Sequence, residues 1–106
     1  MYRERVLIKV TPENWNATIQ TFNRLNELRR ERGWQESTIW TQTFGPFGEL
    51  LIETDYPDLA TYERETAAFF SDEDCMKLTM ESMKTLRAGE PGQNEMWQRA
   101  DQVAAG

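Results

Sequence analysis

Histidine is absent from the 106-residue chain, and cysteine occurs once, at position 75. Without imidazole there is no Ser-His or Cys-His nucleophilic pair, no histidine-bound zinc and no proximal histidine for haem. A lone thiol forms no intrachain disulfide and completes no two-cysteine metal or redox site, so a reducing, cytoplasmic setting is expected. Neither a metal nor a cofactor is expected. Basic residues are the minority: 12 Lys and Arg against 18 Asp and Glu leave a net charge of −6, which opposes approach to phosphate backbones and anionic lipid surfaces. Nucleic acid and membrane are therefore not expected partners. Long apolar runs are missing too. Val6-Leu7-Ile8 stops at Lys9, short of the ~7 to 15 residues of a signal-peptide core and the roughly 18 of a membrane span.

What is present suits one compact domain, with residues 1–101 as the folded unit and 102–106 as a loose tail. Arg3 to Val10 alternates, placing Val6, Ile8 and Val10 on one face, and predicts a first strand. Thr11 as N-cap, Pro12 at the first helical position and Glu13 in the first turn predict a helix start. Trp15, Ile19, Phe22, Leu25 and Leu28 give that helix an inward stripe, and Gly33 ends it. Gln35–Phe44 and Glu49–Tyr56 read as strands of a hairpin around Gly45-Pro46-Phe47-Gly48. Asp58 is the expected cap of a second helix with Leu59, Tyr62, Thr66 and Phe69 or Phe70 facing inward. Ser71, ahead of Asp72-Glu73-Asp74, is the expected cap where that helix continues or restarts. Met76, Met80, Met83 and Leu86 mark its apolar side, and Ala88-Gly89-Glu90-Pro91-Gly92 ends it. Asn94–Ala100 has the length of a fourth strand.

The order β-α-β-β-α-β in about a hundred residues predicts an α+β, ferredoxin-like sandwich: a four-stranded antiparallel sheet with its helices on one face. Leu7, Trp40, Leu51 and Trp97 would then lie on the uncovered sheet face, which a second copy of the chain could cover. Through the Val6–Val10 strand, the Gly45–Gly48 hairpin, the stretch from Tyr56-Pro57-Asp58-Leu59 to Phe69-Phe70-Ser71-Asp72-Glu73, and Asn94-Glu95-Met96-Trp97-Gln98-Arg99, the chain resembles the dimeric α/β-barrel superfamily. Within it the likeness is to small NIPSNAP-like and antibiotic-biosynthesis-monooxygenase-like proteins. The resemblance implies a homodimer joined through the sheet face and a pocket between sheet and helices or inside the barrel. It implies cofactor-free oxygenases, isomerases and binding proteins as possible activities. Haem degradation, another activity of the superfamily, relies on a histidine this chain lacks.

Strand alternation turns Arg5, Lys9, Glu49 and Glu53, with Trp40 and Gln42, toward the barrel. The candidate ligand-binding set is Arg5, Lys9, Trp40, Gln42 and Glu53: a cation for a ligand carboxylate, an indole to stack on a ring, and a carboxylate to accept a proton or hydrogen bond. The structural alternative pairs Arg5 with Glu53 and Lys9 with Glu49 across neighbouring strands. The Trp15, Trp34, Phe22, Phe69, Phe70, Met76, Met80 and Met83 set reads as core before it reads as a cavity lining. The Arg24-Arg29-Arg30-Arg32 group, interrupted by Glu27 and Glu31, reads as a solvated helix face. Two functions remain open: a homodimeric binder of a small organic ligand, or a cofactor-independent monooxygenase or isomerase for an aromatic or polyketide-like substrate, with Trp40 placing the substrate and Glu53 abstracting a proton.

Overall fold

Alternating apolar residues and β-branched side chains put Tyr2–Lys9 into strand β1, with Ile8 and Val10 buried on its inner face. The computed structural model describes residues 1–45, 48–85 and 92–103. Helix α1, Trp15–Glu31, is entered through a single 3₁₀ turn, Pro12–Asn14. Thr11 does not cap the helix as expected, because the Asn14 side chain donates to the Thr11 hydroxyl at 2.7 Å and occupies it. The other end follows expectation. Gly33 takes φ +73°, its N–H donates to the Arg30 carbonyl at 3.1 Å, and Trp34 N–H donates to the Arg29 carbonyl at 2.9 Å. This is a Schellman closure, for which glycine carries no Cβ penalty.

Strands β2 (Ser37–Thr41) and β3 (Glu49–Tyr56) follow. β2 is shorter than the expected Gln35–Phe44. The amides just before and at its start bond to helix side chains instead of a strand: Gln35 N–H to Glu65 Oε1 at 2.7 Å and Ser37 N–H to Asn26 Oδ1 at 2.6 Å. β3 alternates without a break, with Leu50, Ile52, Thr54 and Tyr56 all buried. Of the turn between them, Pro46 and Phe47 lie outside the described residues. Gly45 and Gly48 have φ of +127° and +88°.

Helix α2, Leu59–Ser71, is capped by Asp58, whose carboxylate accepts from Thr61 N–H at 2.6 Å. Helix α3, Glu73–Met83, restarts after a break, and its cap is Asp72 rather than Ser71. Asp72 is extended at φ −90°, ψ 120°, and accepts from Cys75 N–H at 3.0 Å. The break resets the helical phase and turns the stripe expected on α3. On α2 the buried residues are Thr61 and Glu65, Tyr62, Thr66 and Phe69 are half-buried, and Leu59 and Phe70 are exposed. On α3 the inward residues are Cys75, Leu78 and Ser82, while Met80 and Met83 are exposed. Small side chains there let α3 pack closely against both α1 and α2. Leu86 and residues 88–91 lie outside the described residues. Strand β4, Gln93–Gln98, ends before the expected Ala100, because Ala100–Val103 turns into a short helix, α4, where a loose tail was expected from 102. Residues 104–106 are outside the described range.

The sheet is antiparallel throughout in the order β2-β3-β1-β4. Together with the helices it forms the expected α+β, ferredoxin-like arrangement. Two apolar clusters hold the layers together. Ile8, Val10, Leu50 and Ile52 pack beneath Trp15, Ile19 and Phe22 of α1, and Leu25, Leu28 and Cys75 join the helices with Trp34, Phe69 and Leu78. No helix among the described residues is long and apolar enough to cross a membrane.

Candidate functional site

On the sheet face away from the helices, the register sets Arg5 opposite Glu53 on one side and Glu95 on the other, and Leu51 between Leu7 and Trp40. Arg5, Trp40 and Gln42 border a shallow depression of about 250 Å³ with Leu7, Leu51, Glu49 and Glu95. Glu53 does not border it but touches two residues that do: one carboxylate oxygen accepts from Trp40 Nε1 at 3.0 Å, and the other lies 3.1 Å from Arg5 Nε. Lys9 sits on the same face opposite Glu49 but does not border the depression. The structure thus brings Arg5, Trp40 and Glu53 into contact, and Lys9 lies outside the residues that line the depression. Gln42 joins through Glu49, to which its amide donates at 3.4 Å.

The charges of this group are paired within the chain, while Arg5 Nε is buried without a hydrogen-bond partner. The Arg5 guanidinium also lies 5.8 Å from the Trp97 ring centre, so the cation is held between a carboxylate and an indole. Nearby, Arg3 donates to both oxygens of Asp55, at 2.8 and 3.1 Å, and these bonds hold the Asp55 carboxyl below its ordinary pKa. The cross-strand pairing expected as the structural alternative is therefore present at Arg5–Glu53, with a further pair at Arg3–Asp55.

The other side of the sheet has a deeper feature. A cavity of about 290 Å³ lies between the sheet and the three main helices. Val6, Ile8, Ile39 and Ile52 form its sheet wall, Phe22 and Leu25 enter from α1, Phe69 and Phe70 from α2, and Met83 from α3. The aromatic residues read first as core thus divide: Phe22, Phe69, Phe70 and Met83 border the cavity, Trp15 and Trp34 pack into the two clusters, and Met80 faces solvent.

Polar groups converge on the same space: Asn26 and Arg29 from α1, Ser37 from β2, Thr54 and Tyr56 from β3, and Glu65 and Thr66 from α2. Several are tied down internally. Ser37 and Thr54 share a 2.7 Å hydroxyl bond, and Glu65 and Asn26 each accept one backbone N–H. Tyr56 is 2% exposed and packs edge-on against Tyr62, with ring centres 5.2 Å apart. Burial pushes its phenol above the ordinary pKa, with Arg29 acting in the opposite direction. Sequence reasoning gives none of these residues a site role, reading Arg29 as part of a solvated helix face and Thr66 as an inward helix position, because no two of them form a motif. The available signal was their position: Thr54 stands between the buried Ile52 and Tyr56, and Asn26 and Arg29 each follow a buried leucine of α1.

Among the described residues no group of three or more acidic or cysteine side chains could hold a metal ion. No protein-family model and no curated protein sequence matches the chain. Solved structures do. An antibiotic biosynthesis monooxygenase superposes over 94% of this chain and 99% of its own, with TM-score 0.74 and 16% identity. An uncharacterized NIPSNAP domain protein from Burkholderia xenovorans superposes over 94% and 95%, with TM-score 0.76 and 15% identity. A conserved protein from Methanosarcina mazei Go1 superposes over 92% and 91%, with TM-score 0.73 and 11% identity. The chain has the ferredoxin-like fold of these proteins. At such identities the likeness concerns the backbone, and the fold hosts many functions.

Proposed function

We propose that the chain is a homodimeric binder of a small organic molecule, joined through its open sheet face, with the ligand in the cavity between sheet and helices. The observation that carries this reading is the cavity itself. Its volume of about 290 Å³, its apolar walls and its few converging polar groups match the general make-up of small-molecule sites. A cytoplasmic setting belongs to the same reading, since the single cysteine is a buried free thiol. The Arg5, Lys9, Trp40, Gln42 and Glu53 face then serves assembly, with its charge pairs setting the register between copies. Native mass spectrometry of the purified protein should reveal a small-molecule adduct. The variant Thr66→Phe, which fills the cavity from α2, should lose that adduct while keeping a native circular dichroism spectrum. An adduct that survives in the filled variant would place the ligand elsewhere.

A second reading, a cofactor-independent monooxygenase or isomerase for an aromatic or polyketide-like substrate, draws support from the antibiotic biosynthesis monooxygenase among the superposing structures. In that case oxygen uptake or isomerisation of the bound compound should accompany binding and should vanish in the same filled variant.

A further inference from the structure

Four arginines lie along or just beyond α1, and three of them are neutralised by carboxylates. Arg24 pairs with Glu27 at 2.9 Å, Arg30 with Glu36 at 2.7 Å, and Arg32 with Asp72. Arg29 differs: among the described residues it makes no ion pair, it is half-buried, and it borders the cavity instead of the solvated face expected for the group. Its guanidinium carbon lies 4.9 Å from the Phe69 ring centre. Contact of the planar cation with the ring fixes it through its face, one in-plane N–H meets the Tyr56 phenol oxygen, and the remaining donors are left for a ligand.

Asn26 is one helical turn earlier on the same side of α1 and also borders the cavity. Its Oδ1 is committed to Ser37 N–H at 2.6 Å, which leaves the Nδ2 donors on the other branch of the amide. The Tyr56 hydroxyl adds a third group that can donate. Glu65, the carboxylate on the α2 side, already accepts the Gln35 amide. The cavity therefore joins an apolar body to a guanidinium that makes no ion pair among the described residues, with the Asn26 and Tyr56 donors beside it and the Glu4 and Glu65 carboxylates elsewhere on the wall.

We infer that the ligand is an organic monocarboxylic acid with a compact apolar body, and that Arg29 is the residue that selects for its charge. This rests on the reading of the cavity as a ligand site and deepens it. The carboxylate meets Arg29 and the Asn26 amide, and the apolar part lies against Phe22, Phe69 and Ile52. An acid is favoured over its neutral amide because its carboxylate forms charge-assisted hydrogen bonds with a half-buried guanidinium that makes no ion pair among the described residues.

The test uses two probes of matched shape, 1-naphthoate and 1-naphthamide, titrated calorimetrically into the full chain. Naphthoate should bind the wild type about tenfold more tightly than the amide, as expected for a charge-assisted hydrogen bond. Arg29→Gln should remove that preference by weakening naphthoate and leaving the amide within about threefold. Because Arg29 also covers Phe69, Arg29→Lys provides a second variant that keeps the charge while losing the planar fork, and it should retain part of the preference. Equal binding of acid and amide to the wild type, or equal weakening of both in Arg29→Gln with the fold intact, overturns the ligand class and leaves the cavity as a site. Binding of neither probe overturns the ligand class and counts against the cavity reading as well.

Discussion

Cys75 shows what a single side chain gains from where it sits. It is fully buried between α3 and the α1 leucines Leu25 and Leu28, and burial, then the nearby Asp72 carboxylate, pushes its thiol up to about 11. At neutral pH the folded protein therefore holds a thiolate fraction about a hundredfold lower than an exposed cysteine would, before any steric shielding is counted. A thiol-specific reagent such as dithionitrobenzoate should label the native protein at least about a hundredfold more slowly than the urea-unfolded chain at the same pH. Comparable rates would mean that the α1–α3 contact opens readily. Arg29 gives the complementary lesson. It is an arginine among arginines in the sequence, yet of the four it is the one that borders the cavity and, among the described residues, makes no ion pair.

At the scale of elements, Asp72 carries two connections at once: it caps α3 through Cys75 N–H and binds Arg32 beyond the end of α1. The Cys75 amide bond, followed by the Arg32 bond, lowers its carboxyl pKa, and Asp58 is lowered likewise by its bonds to Thr61. A carboxyl whose folded pKa lies below its unfolded value stabilises the fold fully above the unfolded value, about 3.9 for Asp, and loses that contribution as pH falls through the folded value. The urea midpoint should hold steady from pH 7 to about pH 5 and fall below about pH 4. Asp72→Asn, which keeps a capping oxygen but removes the charge, should lower the midpoint at pH 7 and flatten the acid limb. Parallel acid limbs in wild type and variant would show that Asp72 does not contribute to it. The same break explains which elements were legible in the sequence. β3 was read to the residue because its alternation runs unbroken into Pro57, and the end of α1 because Gly33 alone supplies the left-handed closure. The α3 stripe departs from the periodicity because the break at Asp72 rotates the helix, so Met80 and Met83 are exposed and Cys75, Leu78 and Ser82 face in. The resemblance implies a pocket between sheet and helices, but its lining is not legible in the sequence, because its polar residues come from seven separate elements and meet only in the folded chain.

The whole molecule has one covered sheet face and one bare one. On the bare face Leu7 and Leu51 lie side by side and half-buried, while Trp40 and Trp97 near the sheet edges are each 52% exposed. Self-association through this face would remove both indoles from water, with the Arg5–Glu53 and Arg3–Asp55 pairs already neutralised within each copy. Light scattering after size exclusion should therefore give twice the 12.5 kDa chain mass. Leu51→Asp sets a carboxylate between Leu7 and Trp40, where dimerisation would bury it unpaired at a cost of about 3 kcal/mol, roughly a hundredfold in Kd. The variant should run as a folded monomer at micromolar concentration. A monomeric wild type would remove the assembly from the proposed function, and a dimeric Leu51→Asp would move the contact to another face. Because the ligand cavity lies on the opposite side of the sheet, the monomeric variant should still bind 1-naphthoate. Loss of binding on dissociation would instead mean that a second copy completes the site, which would return Arg5, Trp40 and Glu53 to the ligand.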